Sequence, residues 1–166
     1  MILDIRKVEV GDTDRIADVC SNGWRETVAG KLSETAQRKT VSHWYNHEKV
    51  KSDIKKGSYT YAAVADNRVI GVIGGGMAGK NTGHIFVFYI DQNYRYQGIG
   101  KKLLRKITEH QIQKGAEVQK VSVQKDNELG LPFYQAHGFK VIEEVEASTG
   151  TDEIQISLKM QRVLDV

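Results

Sequence analysis

The residues Arg95-Tyr96-Gln97-Gly98-Ile99-Gly100-Lys101 have the types and spacing to hold a phosphate. Two glycines let the backbone turn sharply and let a ligand approach the main chain closely. The first amides of a helix starting there lack internal acceptors. With the helix dipole and the Lys101 and Lys102 ammonium groups beside them, they form an anion site. The flanks suit this. Ile85-Phe86-Val87-Phe88-Tyr89-Ile90 is continuously apolar, β-branched and aromatic, as a strand covered on both faces should be. Ile99, Leu103, Leu104 and Ile107 recur at helical spacing, with Lys101, Lys102, Arg105, Lys106 and Glu109 on the opposite face.

Three other patterns imitate chemistry. Gly74-Gly75-Gly76-Met77-Ala78-Gly79-Lys80-Asn81 reads like a nucleotide P-loop after a strand. Asn81 stands where the magnesium-binding hydroxyl belongs, and a strand-like segment comes next instead of a helix, so a flexible hairpin loop is expected, with a P-loop nucleotide-binding protein as a distant alternative. His43 and His47 are four apart, yet the glutamate of the zinc-protease pattern and a third ligand are missing, so no metal is expected. Gly98-x-Gly100-x-x-Leu103 lacks the third glycine of a dinucleotide fingerprint.

The segment at Arg95, Gly98 and Gly100 resembles the acetyl-coenzyme A signature of the Gcn5-related N-acetyltransferases (GNAT), Gln/Arg-x-x-Gly-x-Gly/Ala. Further on, Asn127-Glu128-Leu129-Gly130-Leu131-Pro132-Phe133-Tyr134-Gln135-Ala136-His137-Gly138-Phe139 resembles the family's Asn-x-x-Ala-x-x-x-Tyr-x-x-x-Gly-Phe segment. Gly130 replaces the usual alanine, and Pro132 suggests that the helix begins there, with Asn127 in the preceding loop. The resemblance implies acetyl-CoA as co-substrate. Residues Arg95 to Lys101 (with Tyr96, Gln97 and Ile99) would bind its pyrophosphate, and Asn127 the pantetheine region. The backbone near Phe88, Tyr89 and Ile90 would pair with the pantetheine arm, and the Ile90 amide would polarise the thioester carbonyl. Tyr134 would be the general acid that protonates the leaving thiolate, since a phenol with a reference pKa of about 10 holds its proton at neutral pH. For the general base the resemblance leaves His84 or Glu26, His84 reading equally as a surface histidine at a strand start. Trp24, Glu26 and Tyr45 could wall the acceptor pocket. The reaction implied is direct attack of a primary amine, from a small molecule or a protein, on acetyl-CoA in a ternary complex. A catalytically silent coenzyme A-binding sensor or partner module is the alternative.

The elements that must position these residues can be read from the rest of the chain. At 166 residues the chain is expected to be one domain over 1–166. No apolar stretch approaches the roughly 20 residues of a membrane span, and Met1-Ile2-Leu3-Asp4 does not open a signal peptide. A single cysteine, Cys20, excludes an internal disulfide and fits a cytoplasmic setting. The net charge of +3, with lysines scattered, matches a polyanionic cofactor without calling for nucleic acid. Strands are expected at 3–9, 59–65, 69–74, 85–90, 118–124, 140–146 and 153–160, the last two joined by Ala147-Ser148-Thr149-Gly150-Thr151, and a tight turn at Asp66-Asn67. Helices are expected from Asp12 or Thr13, from Ser33 to about Lys56, from Gly98 to about Lys114 and from Pro132, with 22–30 as a loop or helix end. This order is that of the family. It implies an α+β fold (α/β three-layer): a mixed, mostly antiparallel sheet of about seven strands flanked by about four helices, splayed between the fourth and fifth strands. Family members often pair through their last strands or a helix, so a homodimer is compatible with the resemblance.

Overall fold

The computed structural model describes residues 2–148 and 153–165. The expected hairpin loop at 147–151 falls largely outside them, so only its flanking strands are described. Seven strands form one sheet: β1 (Leu3–Lys7), β2 (Tyr61–Ala65), β3 (Arg68–Ala78), β4 (Thr82–Ile90), β5 (Val118–Gln124), β6 (Lys140–Ser148) and β7 (Ile154–Val163). Their spatial order is β1-β2-β3-β4-β5-β7-β6, and every adjacent pair is antiparallel except β4 with β5. The helices are α1 (Thr13–Val28), α2 (Glu34–Trp44), α3 (His47–Lys56), α4 (Ile99–Gln113) and α5 (Gly130–Ala136). α1 and α3 cover one face of the first four strands, around Ile16, Cys20, Val50, Ile54 and Val72. On the other face α4 and α5 close a core of Ile73, Leu103, Leu104, Ile107, Val123, Phe139 and Met160.

Local chemistry explains where elements begin and end. Asn46 ends the helical region expected from Ser33 to Lys56 and restarts it, because its side chain accepts from the Lys49 amide. α1 continues to Val28, so the stretch 22–30, expected as a loop or helix end, is the helix end. Gly23 belongs inside it because the Tyr89 ring lies 2.4 Å from where a Cβ would stand. The Asp12 carboxylate does not cap α1; it takes the Arg6 guanidinium and the Glu9 amide instead. Asp66 and Asn67 both take positive φ, as the tight turn requires.

The glycine-rich run corrects its expectation. Gly74, Gly75 and Gly76 lie inside β3, opposite Val87, Ile85 and His84, and only Gly79-Lys80-Asn81 turns the chain. A Cβ at Gly74 would sit 1.9 Å from the Ser58 carbonyl oxygen, and one at Gly75 2.2 Å from that of His84. These glycines admit neighbouring backbone, and no helix comes after them to hold an anion.

Candidate active site

The parting of β4 from β5 creates the site. Their parallel pairing runs from Thr82 with Val118 to Ile85 with Val121 and stops there, although β4 continues to Ile90 and β5 to Gln124. Opposite β3, Val87 faces Gly74 and Ile85 faces Gly75, so Phe86 is left without a partner. Such a bulge bends a strand and disrupts its ladder, here at the residue where pairing with β5 ends. The Asp91 amide donates to the Ile70 carbonyl at 2.7 Å, so β4 stays bound to β3 to its last residue. By alternation the Phe88 and Ile90 amides and carbonyls face the open gap.

A cleft of about 480 Å³ fills that gap. Phe88, Tyr89, Ile90, Asn127 and Tyr134 line it, and at one end Arg95, Tyr96, Gly98, Ile99, Gly100 and Lys101 close it. Gln97 is exposed and stands outside the lining. Gly98 caps α4 at φ 80°, with no side-chain hydrogen bond to the cap, so the first-turn amides of Ile99, Gly100 and Lys101 are left for a ligand. A Cβ on Gly100 would meet Ile90 at 3.2 Å and Phe133 at 3.3 Å, so α4 is drawn close to the aromatic wall. Tyr96 is held at φ 62° and is 91% exposed, a costly conformation for a non-glycine residue at a loop poised for contact. The Asp91 carboxylate, despite burial that pushes it up, is held below the usual carboxylate range by the Asn93 amide and the Arg15 guanidinium; this pins the end of β4 to α1.

Tyr134 is 7% exposed, packed edge-on against Phe88, Phe133 and Phe139. Burial first, and the neighbouring Tyr89 second, push its phenol well above the ordinary tyrosine value. No hydrogen bond contributes to that shift. The α5 helix starts at Gly130, ahead of the expected Pro132, because the Asn127 side-chain oxygen takes the Leu129 and Gly130 amides at 3.1 and 2.8 Å. A Cβ at Gly130 would lie 2.6 Å from the Asn127 side-chain nitrogen, which accounts for glycine at that position.

A second cavity, about 1030 Å³, opens beside the first and shares with it Trp24, Ile85, Phe86, Val87, Val121, Ser122 and Gln124. His84 and Tyr45 line this second cavity. Burial, then the Lys120 and Lys159 ammonium groups, hold the His84 imidazole below its ordinary 6.5. Glu26 lines neither cavity; its carboxylate pairs with Arg95 at 2.7 Å, joining α1 to the glycine loop. The segment between α1 and α2 is tied to two distant parts of the chain. The Lys31 ammonium donates to the Asp126 carbonyl, and the Ser33 amide and hydroxyl donate to the Glu153 carboxylate. Periodicity carries no signal for these long-range pairs.

A sequence profile of the acetyltransferase (GNAT) domain matches residues 27–160. The chain belongs to the GNAT acetyltransferase family. This acetyltransferase is similar to the spermidine N(1)-acetyltransferase of Thermoplasma acidophilum, 28% identical over 159 residues that cover 93% of this chain and 96% of that protein. Its fold matches the PaiA N-acetyltransferase of the same organism, solved in complex with coenzyme A, with a TM-score of 0.83 and 25% identity over 99% of this chain and all of that one. A GCN5-related N-acetyltransferase structure from Rhodopseudomonas palustris superposes with a TM-score of 0.79 at 17% identity, covering 99% of each chain. Acetyl-CoA is the acetyl donor of this family. The cleft suits it: a strand edge for an amide-bearing arm, and a helix N-terminus with no capping side chain for a diphosphate. Among the described residues no helix is long and apolar enough to cross a membrane, and no cluster of residues could hold a metal.

Proposed function

We propose that the enzyme moves the acetyl group to a primary amine by direct attack while donor and acceptor are both bound. The observation that carries this is the parting of β4 and β5 between two cavities with a shared wall, which lets two reactants meet from different sides. The amides of Ile99, Gly100 and Lys101 hold the diphosphate, and the Phe88 and Ile90 backbone pairs with the pantetheine arm as an added strand. The Ile90 amide donates to the thioester oxygen as it gains charge. The amine lone pair forms the new C–N bond, the C–S bond breaks, and its electrons leave on sulfur. Tyr134 supplies the proton that the sulfur takes up. Its raised pKa keeps it protonated through neutral pH. His84 accepts the amine proton from the acceptor side, directly or through water. Glu26 is the less suited base, because Arg95 already holds its carboxylate. The spermidine-acetylating relative supports an amine as the acceptor class. The cytoplasm, where a lone buried Cys20 stays reduced, is the proposed location.

Free-thiol release on mixing acetyl-CoA with an amine panel tests the reading. Tyr134→Phe should lower kcat by about a hundred-fold while leaving coenzyme A affinity within about two-fold. Undiminished kcat in that variant would remove Tyr134 from the role. With neutral His84 as base, kcat/KM should rise with pH along a limb centred below the ordinary 6.5 and then level. His84→Gln should erase that limb; its persistence would point to another base.

A further inference from the structure

The second cavity has a charge pattern that selects among amines. Its floor is the face of β5 and β7 turned away from α4, and its wall is α2 and α3. Among the described residues four lysines line it, Lys39, Lys49, Lys120 and Lys159, against two carboxylates, Asp53 and Glu143. Both carboxylates are already claimed. Lys49 holds Asp53 at 3.2 Å and lies over the Trp44 ring, and Lys159 faces Glu143 at 4.0 Å. Lys39 and Lys120 have no carboxylate partner among the described residues. Register puts Lys120 beside His84 and Lys159 beside Ser122, so the unpaired Lys120 and the loosely paired Lys159 share the cavity floor next to the shared wall. Both lysines also act on the His84 imidazole, which places their field where the proton would be taken.

We infer that the acceptor is a primary amine that also carries an anionic group, a carboxylate or a phosphate, held by Lys120 and Lys159. The inference rests on the acetyl-transfer reading above and narrows it. A neutral reacting amine tolerates this floor, and an anion elsewhere on the same molecule gains from it. A polyamine would bring further ammonium groups within a few ångströms of lysines whose counter-charges are spent, and like charges at that range repel. The spermidine-acetylating relative therefore marks the family's reaction rather than this cavity's preference.

Matched acceptors test it by thiol release from acetyl-CoA. The pairs are 2-aminoethyl phosphate against ethanolamine, glycine against glycinamide, and a peptide with an Asp-rich N-terminus against a Lys-rich one, with spermidine alongside. The anionic member of at least one pair should lead in kcat/KM by about ten-fold or more. Whether the small pairs or the peptide pair show it identifies the source of the anion. Lys120→Gln with Lys159→Gln should bring the ratio close to one, chiefly through KM, and Lys120→Arg should keep it. Melting temperatures taken alongside tell lost charge from lost fold. Spermidine or the neutral members leading, or a ratio that survives the double substitution in a folded protein, overturns this inference and leaves acetyl transfer standing. Thiol release that no acceptor raises above the amine-free blank would overturn both.

Discussion

Two glycine-rich stretches of this enzyme have similar composition and opposite uses. Gly74 to Gly76 sit in the middle of β3, where absent side chains let the Ser58 and His84 carbonyls come within 1.9 and 2.2 Å of the would-be Cβ positions. Gly98 stands in open space at φ 80° and opens α4, exposing amides to the cleft. In the first stretch glycine serves packing; in the second it leaves backbone amides open to the cleft, the proposed place of the diphosphate. The element that each stretch leads into decides which: a strand leaves no free amides in a row, and a helix leaves its first turn unbonded.

Substitutions should separate the two uses. Gly74→Ala would drive a Cβ into backbone and is expected to cost about 3 kcal/mol or more, lowering the melting temperature by roughly 6–12 °C. A melt unchanged from the parent would show that β3 can shift to make room. Gly98→Asp should weaken coenzyme A binding by about a hundred-fold, about 2.7 kcal/mol, by placing a carboxylate where the diphosphate is to lie, with a much smaller loss of stability. Calorimetry that finds parental affinity would move the donor away from this loop. Gly98→Ala and Gly79→Ala form a control pair. Both residues have positive φ, 80° and 73°, and open surroundings, so each should cost about 1–2 kcal/mol of stability, yet only the Gly98 variant should also lose donor affinity. Smallest of all, Glu26→Gln removes a partly exposed ion pair to Arg95 and should shift the melt by no more than about 2–4 °C.

The same contrast shows what the sequence makes legible. The apolar run to Ile90, the helical spacing after Gly98 and the two family-like motifs are enough to place the parted strands and the cleft between them, because each is a local pattern with one reading. Strand limits are less legible. The run 74–81 reads as a loop because glycine carries no hydrophobic signal, whereas 74–78 pair with β4, and the Ser58 carbonyl that excludes a side chain at Gly74 is brought near only by folding. Likewise Asn127 reads as a free ligand in the sequence, whereas in the fold its oxygen is spent on Leu129 and Gly130. The Glu26–Arg95 pair and the Lys31 and Ser33 bridges join residues far apart in the chain; no window of periodicity contains both partners.

The unmatched Phe86 has a consequence of its own. It is one surplus residue in β4, 61% exposed, and it marks where a continuous seven-stranded ladder gives way. Deleting it would leave every later β4 residue opposite its present β3 partner and remove the bulge that bends the strand where pairing with β5 ends. The bend at which β4 leaves β5 therefore sits on a counting mismatch between neighbouring strands, which side-chain swaps leave in place and a one-codon deletion would erase.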